Sequence, residues 1–214
     1  MPGKPRSPKG RAKLLLTRLI EEYPEARCEL AHANPFQLLA ATILSAQCTD
    51  VRVNMVTPAL FARYPTPADL AEAEVSELED LIRSTGFFHN KAKSLLGMAQ
   101  ALVERFDSVV PGAMEDLVTI PGVGRKTANV VRSVGLGLPG LPVDTHVLRL
   151  SARLGLTEQD DPVKVEHELN AMIPAMERGT FGLRLILHGR RICAARKPNC
   201  SACTLADFCP SAGK

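Results

Sequence analysis

Two stretches of the chain concentrate residue types that do chemistry. The first is IPGVGRKTANVV, residues 120–131, where a proline and two glycines are followed at once by Arg125 and Lys126. Met114–Val118 has helical spacing and Pro121 interrupts it. Gly122 and Gly124 admit torsions that side chains forbid. From Arg125 there is no breaker until Gly135, and Ala128, Val131 and Val134 recur along one face. The pattern predicts helix, hairpin, helix. Gly122, Val123, Gly124 and Arg125 would then offer bare backbone N–H groups at a helix N-terminus, where an anion such as phosphate can bind. Lys126 is out of place there, because a cation at the positive end of a helix dipole is disfavoured. Either it sits harmlessly in water or its ammonium is meant to be destabilised.

The second stretch is CAARKPNCSACTLADFC, residues 193–209, with four of the six cysteines spaced C-x6-C-x2-C-x5-C. A disulfide pair is one reading, but no secretory h-region supports it, and dense thiols in a reduced compartment favour metal. Four thiolates suit zinc, yet zinc sites usually present two C-x2-C knuckles and only one occurs here. Cys193, Cys200, Cys203 and Cys209 also suit a 4Fe–4S cluster, which the spacing favours over zinc. Arg190, Arg191, Arg196 and Lys197 surround these cysteines, so a metal that fixes the loop would make a rigid phosphate-binding prong. Solubility charge near a C-terminus is the bland reading of the same residues, and a loop held in place by its ligands favours the phosphate-binding one. Cys28 and Cys48 lie far from this group and read as small buried hydrophobes.

The elements that must carry both stretches read as helices throughout. Asn34-Pro35, Thr66-Pro67 and Asp161-Pro162 each look like an N-cap followed by proline at the first helical position. Helices are predicted near 10–22, 35–47, 50–63, 67–72, 75–84, 90–106, 113–118, 125–134, 145–154, 162–173 and 180–191, with Pro58 kinking or splitting the third. No run shows the strict alternation of a strand. With 214 residues, 45% of them hydrophobic, the chain suffices for one large core or two small ones. No apolar run is long enough to span a membrane, which predicts a soluble protein. The first twenty residues carry six basic side chains and no acid, and prolines at 2, 5 and 8 suggest a disordered basic arm over residues 1–9. A formal charge of +3 then leaves the remainder acidic. Six acids fall within 66–80 without a base, a face expected to be solvated and turned away from any polyanion.

LVTIPGVGRKTANVV, followed by LPVDTH at 141–146 and then by the cysteine spacing, resembles the endonuclease III family of DNA glycosylases, within the helix–hairpin–helix glycosylase superfamily. The likeness runs from LLAATILSAQCTDVRVN (38–54) to Cys209. It implies an all-α, two-domain fold: a six-helix barrel over about 28–137 containing the hairpin, and an iron–sulfur cluster domain built from 1–27 and 138–214. DNA would bind between them. It implies one 4Fe–4S cluster, and a bifunctional activity that removes an oxidised pyrimidine and then cleaves the strand at the abasic sugar. The partner would be double-stranded DNA carrying oxidised pyrimidines or abasic sites, met by a monomer in the cytoplasm, on the nucleoid.

By position in the motif, Lys126 is the nucleophile. An amine attacks only when neutral, and the helix N-terminus and Arg125 both oppose the charged form. Asp144 matches the catalytic carboxylate, although an Asp before VLRLSARLGL is also an ordinary N-cap. Gln47 matches the glutamine that fills the hole left by a flipped nucleotide. GFFHNK (86–91) matches a second wedge loop, with Phe87 where leucine is common. His146 is a pocket candidate, with a satisfied structural histidine the favoured reading. An adenine glycosylase of the mismatch-repair type would carry a glutamate in the segment that here reads AATILSAQ, and none is present. A non-catalytic DNA-binding module remains compatible with composition, and the pairing of Lys126 with Asp144 argues against it.

Overall fold

The structure, a computed structural model, describes residues 5–213. Eleven α-helices are present among them and no strand. They are α1 (Pro8–Glu22), α2 (Pro35–Leu44), α3 (Asp50–Arg63), α4 (Pro67–Ala71), α5 (Val75–Ile82), α6 (Phe88–Phe106), α7 (Met114–Leu117), α8 (Arg125–Val130), α9 (Thr145–Arg153), α10 (Pro162–Met172) and α11 (Arg178–Arg191). The predicted start signals work as chemistry. Asn34 caps α2 by accepting from Gln37 N at 2.9 Å. Thr66 and Asp69 form a reciprocal capping box on α4, and Asp161 Oδ1 caps α10. Each of these helices then opens on proline.

The chain divides into two compact units, one of residues 28–138 and one joining the described residues up to Arg27 with those from Pro139 onward. The first unit holds α2–α8. Its centre is α2, whose Leu38, Leu39, Ala40, Ala41, Ile43 and Leu44 are all buried. A helix apolar on every side must be enclosed, and α3, α6 and α8 pack against it. The acids of 66–80 decorate this unit as caps and ion pairs. Asp69 and Glu74 cap α4 and α5, Glu77 binds Arg63 at 2.6 Å, and Glu79 lies 2.8 Å from His89.

The second unit holds α1, α9, α10, α11 and the cysteine-bearing tail. Leu15 and Leu19 of α1, Val147 and Leu150 of α9, and Phe181 and Leu185 of α11 form its core, joined by Leu205 and Phe208 from between the cysteines. The tail is therefore anchored by apolar burial as well as by whatever its thiols bind.

Three expectations are corrected. Helix α3 is not split at Pro58. Pro58 lies on the exposed face, where water can satisfy the carbonyl whose N–H partner is missing. The segment expected as one helix over 125–134 is α-helical only to Val130, and Val131–Gly135 widens into a π turn. There the Ser133 hydroxyl donates to Asn129 O at 2.8 Å, competing for a ladder carbonyl. The basic arm over 1–9 is cut short. Ser7 caps α1 by accepting from Gly10 N at 3.1 Å, and Pro8 and Lys9 are already helical. Residues 1–4 lie outside the described residues.

Candidate functional site

In the 28–138 unit the hairpin joins α7 to α8. Its apolar residues, Ile120 and Val123, are buried, and Val123 N donates to Ile120 O at 3.0 Å. Val123 therefore shapes the turn from inside. Its N–H is spent internally, so it does not belong among the groups expected to face an anion. Gly122 has φ +78°, and a Cβ there would lie 2.7 Å from Cβ of Ser94. Both torsion and packing demand glycine. Gly124 is different: it sits at φ −88° with nothing within 4 Å of a notional Cβ. Nothing inside the protein requires glycine at that position. As the N-cap of α8 it also supplies no side-chain oxygen, so the first turn of α8 carries no side-chain cap. Lys126 is the second residue of that turn and is exposed; Arg125 beside it is half-buried.

Two further residues of this unit stand out by backbone. Gln47, exposed in the α2–α3 connection, has φ +53°, and Phe87, before α6, has φ +50°. Left-handed torsions cost a side-chain-bearing residue about 1–2 kcal/mol. Phe87 is also 70% exposed, whereas Phe88 packs against the core and its ring lies 4.1 Å from that of His89. A flat apolar ring held out in water on strained backbone has no packing explanation. The loop beneath it is fixed by buried Lys91, whose Nζ donates to Thr85 O at 2.8 Å. Cys28 and Cys48 are half-buried against this core, and burial pushes the Cys28 thiol up.

In the other unit, Asp144 caps α9. Its Oδ1 accepts from His146 N and Val147 N, both at 2.9 Å. Oδ2 accepts no hydrogen bond among the described residues, so capping and a second role use different oxygens. His146 is tied inward. Its Nδ1 lies 3.0 Å from Nη2 of Arg149, and a Cβ at Gly189 would come within 2.7 Å of it. Burial holds its pKa below the ordinary histidine value, opposed by Asp144. Arg149 also donates to Gly189 O at 3.1 Å and Cys193 O at 3.0 Å. One turn on, Arg153 donates to Cys193 Sγ at 3.3 Å, Ala194 O at 2.7 Å and Ala195 O at 2.9 Å. Sequence reading missed both arginines. Their i, i+4 spacing after VDTH, on one face of α9, was the available signal.

All four C-terminal cysteines line one cavity of about 340 Å³, with Leu150, Leu154, Ile192 and Leu205 among its walls. No group of three or more histidine, cysteine, aspartate or glutamate side chains among the described residues is drawn together to hold a metal ion. Burial raises the pKa of Cys203 and Cys209. Arg190, Arg191, Arg196 and Lys197 are all exposed around this loop, Lys197 at φ +54°, and the Arg191 guanidinium lies 5.6 Å from the Tyr23 ring centroid.

The chain is similar to known proteins. Residues 40–175 match the model of the HhH-GPD superfamily of base excision DNA repair proteins. Endonuclease III of Synechocystis sp. is 55% identical over 207 residues, covering 96% of this chain and 94% of that one. For the Bacillus subtilis enzyme the identity is 44%, with 91% and 89% covered, and for that of Escherichia coli K12 it is 40%, with 91% and 92% covered. A solved non-covalent complex of an endonuclease III with DNA superimposes with a TM-score of 0.89 at 43% identity, covering 95% of this chain and 96% of that one. A trapped covalent endonuclease III–DNA intermediate matches equally well. The fold and site define a helix–hairpin–helix base excision repair protein, and the chain belongs to the endonuclease III family.

Proposed function

We propose that Lys126 is the nucleophile of a bifunctional DNA glycosylase and AP lyase acting on oxidised pyrimidines in double-stranded DNA. The observation that carries the assignment is an exposed amine in the first turn of a helix without a side-chain cap, next to a glycine that nothing inside the protein requires. Gly124 makes sense as a point of close approach for a phosphodiester backbone, with the first-turn N–H groups of α8 facing it. Lys126 Nζ attacks the anomeric carbon and the glycosidic bond breaks, its electron pair leaving with the base. The ring C1′–O4′ bond then breaks, its oxygen taking a proton, as nitrogen forms a double bond to C1′; the resulting imine acidifies the neighbouring sugar proton. Its removal breaks the carbon–oxygen bond to the 3′ phosphate, so the strand is cut by β-elimination. Asp144 takes up the proton released from the amine and stabilises positive charge developing on the sugar through Oδ2, while Oδ1 keeps the cap.

Extruding a base costs a few kcal/mol. Gln47 and Phe87 lower that cost by occupying the vacated space, Gln47 through hydrogen bonds to the orphaned base and Phe87 by stacking. Their exposure on left-handed backbone supports this role. Arg190, Arg191, Arg196 and Lys197 contact phosphates. His146, bonded inward, supports Arg149 and Asp144 from within the protein.

The four cysteines hold one 4Fe–4S cluster. Zinc sites usually present two C-x2-C knuckles and only one occurs here, and all four cysteines line one cavity that could take a polynuclear group. The cluster supplies rigidity to the basic loop. Arg153 contributes a donor to Cys193 Sγ, and Leu205 and Phe208 seat the loop in the core. Purified without air, the protein should be brown and hold about four irons per chain; stoichiometric zinc instead would overturn the assignment. The whole enzymatic reading is tested by incubating a duplex carrying one oxidised pyrimidine with the protein and borohydride. A covalent adduct that depends on Lys126 is expected. Base release without an adduct would remove the imine from the mechanism.

A further inference from the structure

His188 lies deep in the second unit, 1% exposed, on α11, and none of the chemistry above uses it. Its Nε2 is 3.4 Å from Cys203 Sγ. Its Nδ1 is 3.1 Å from the Tyr23 hydroxyl and 3.6 Å from Glu22 Oε1, both at the end of α1. The Tyr23 and His188 rings meet edge to face at 5.9 Å. A buried imidazole with one nitrogen on a cysteine sulfur and the other on a hydroxyl is oriented from both sides.

We infer that His188 is a positioning residue for the cluster, donating an Nε2–H···S hydrogen bond to Cys203 and thereby raising the reduction potential of the bound group. The inference rests on the cluster reading of the four cysteines. A ligating thiolate has no proton to give, so the hydrogen between Nε2 and Sγ must come from the histidine. Nδ1 is engaged by Tyr23 and Glu22, which orients the ring so that Nε2 faces Cys203 Sγ. This is the arrangement by which outer groups tune metal ligands. Donors to ligand sulfur favour the more reduced, more negative state of an iron–sulfur cluster, because added electron density resides partly on sulfur. The Arg153 contact to Cys193 acts in the same sense on a different ligand. The geometry therefore places two donors on two of the four ligands, one cationic and half-exposed and one buried and aimed.

The test is film voltammetry on the full chain purified anaerobically, with iron and Tm measured on each sample. His188→Leu should hold its iron and show a lowered potential. His188→Gln, which restores an N–H near the same place, should recover part of the shift. Tyr23→Phe removes only a hydroxyl and should shift the potential in the same direction by less, at nearly unchanged Tm. Iron-loaded His188→Leu with the wild-type potential overturns the inference. If His188→Leu loses iron, Tyr23→Phe decides, and an unchanged potential there overturns it. Wild-type protein without iron would overturn the cluster reading itself, and this inference with it.

Discussion

Apart from the exposed basic residues Arg190, Arg191, Arg196 and Lys197, the two units present their functional residues in opposite ways. In residues 28–138 the groups assigned to the substrate, Lys126, Gln47 and Phe87, are exposed, and two of them sit on left-handed backbone. In the other unit Asp144, His146 and Cys203 are half-buried, and each is held by hydrogen bonds to neighbouring groups. On the proposed reading, the first unit keeps reactive and space-filling groups ready for a ligand that will cover them. The second holds its groups in fixed geometry before any ligand arrives. Substitutions in the first should therefore cost activity with little stability, and substitutions in the second should cost both unless the replacement preserves the hydrogen bonds.

The largest effect that can break this contrast is at Lys126. Lys126→Gln should abolish the borohydride adduct and strand cleavage while binding to abasic DNA and Tm stay near wild type. An undiminished adduct would remove Lys126 from its role, and a lowered Tm would remove the contrast. Asp144 comes next and splits its own two functions. Asp144→Asn keeps an acceptor oxygen for His146 N and Val147 N, so the fold should hold while base removal slows by about 10²–10⁴-fold, the usual worth of a positioned proton-transfer group. Asp144→Ala should lose activity similarly and in addition about 1 kcal/mol of stability for the missing cap. Equal stabilities for the two variants, read from urea midpoints, would show that capping contributes nothing.

Phe87→Ala sharpens the comparison within the first unit. Because the ring is 70% exposed, its loss should leave Tm unchanged. Stacking on a base is worth about 1–3 kcal/mol. Single-turnover base removal from a fully paired duplex should therefore slow by about 5- to 150-fold, and cleavage at an abasic site, where no base is extruded, should slow less. Equal losses on both substrates would exclude a wedge.

Much of this was legible in the sequence, for identifiable reasons. Caps such as Asn34-Pro35 and Asp161-Pro162 are local, so helix starts could be placed closely. Lys126 could be singled out because a cation at a helix start breaks a local rule, whereas Asp144 reads locally as an ordinary cap and stood out only through the resemblance of VDTH to the family motif. The tertiary support was not legible. Nothing local marks His188, five residues before Cys193, as the partner of Cys203 and Tyr23, because that relation exists only once α1 and α11 pack. The left-handed torsions at Gln47 and Phe87 gave no signal either, since sequence assigns such torsions to glycine by default. Pro58 misled because its cost depends on exposure, which composition does not reveal.

The smallest predicted effect separates strain from function at Phe87. Its torsions, φ 50° and ψ 31°, are those a glycine adopts without penalty. Replacing it by glycine removes a left-handed cost of about 1–2 kcal/mol for a residue with a Cβ. Against this, glycine loses more backbone entropy on folding, about 0.5–1 kcal/mol, and little buried area is forfeited because the ring is mostly in water. The difference predicts that Phe87→Gly is at least as stable as the wild type, by up to about 1 kcal/mol, and more stable than Phe87→Ala, which keeps the strain. Both variants should be slow on the paired lesion. If the strained backbone is retained for the ring it carries, Phe87→Gly should be a more stable protein and a poorer enzyme. If Phe87→Gly proves less stable than Phe87→Ala in urea, the torsion is not strained in this setting, and the backbone no longer marks Phe87 as a wedge even if the ring itself stacks.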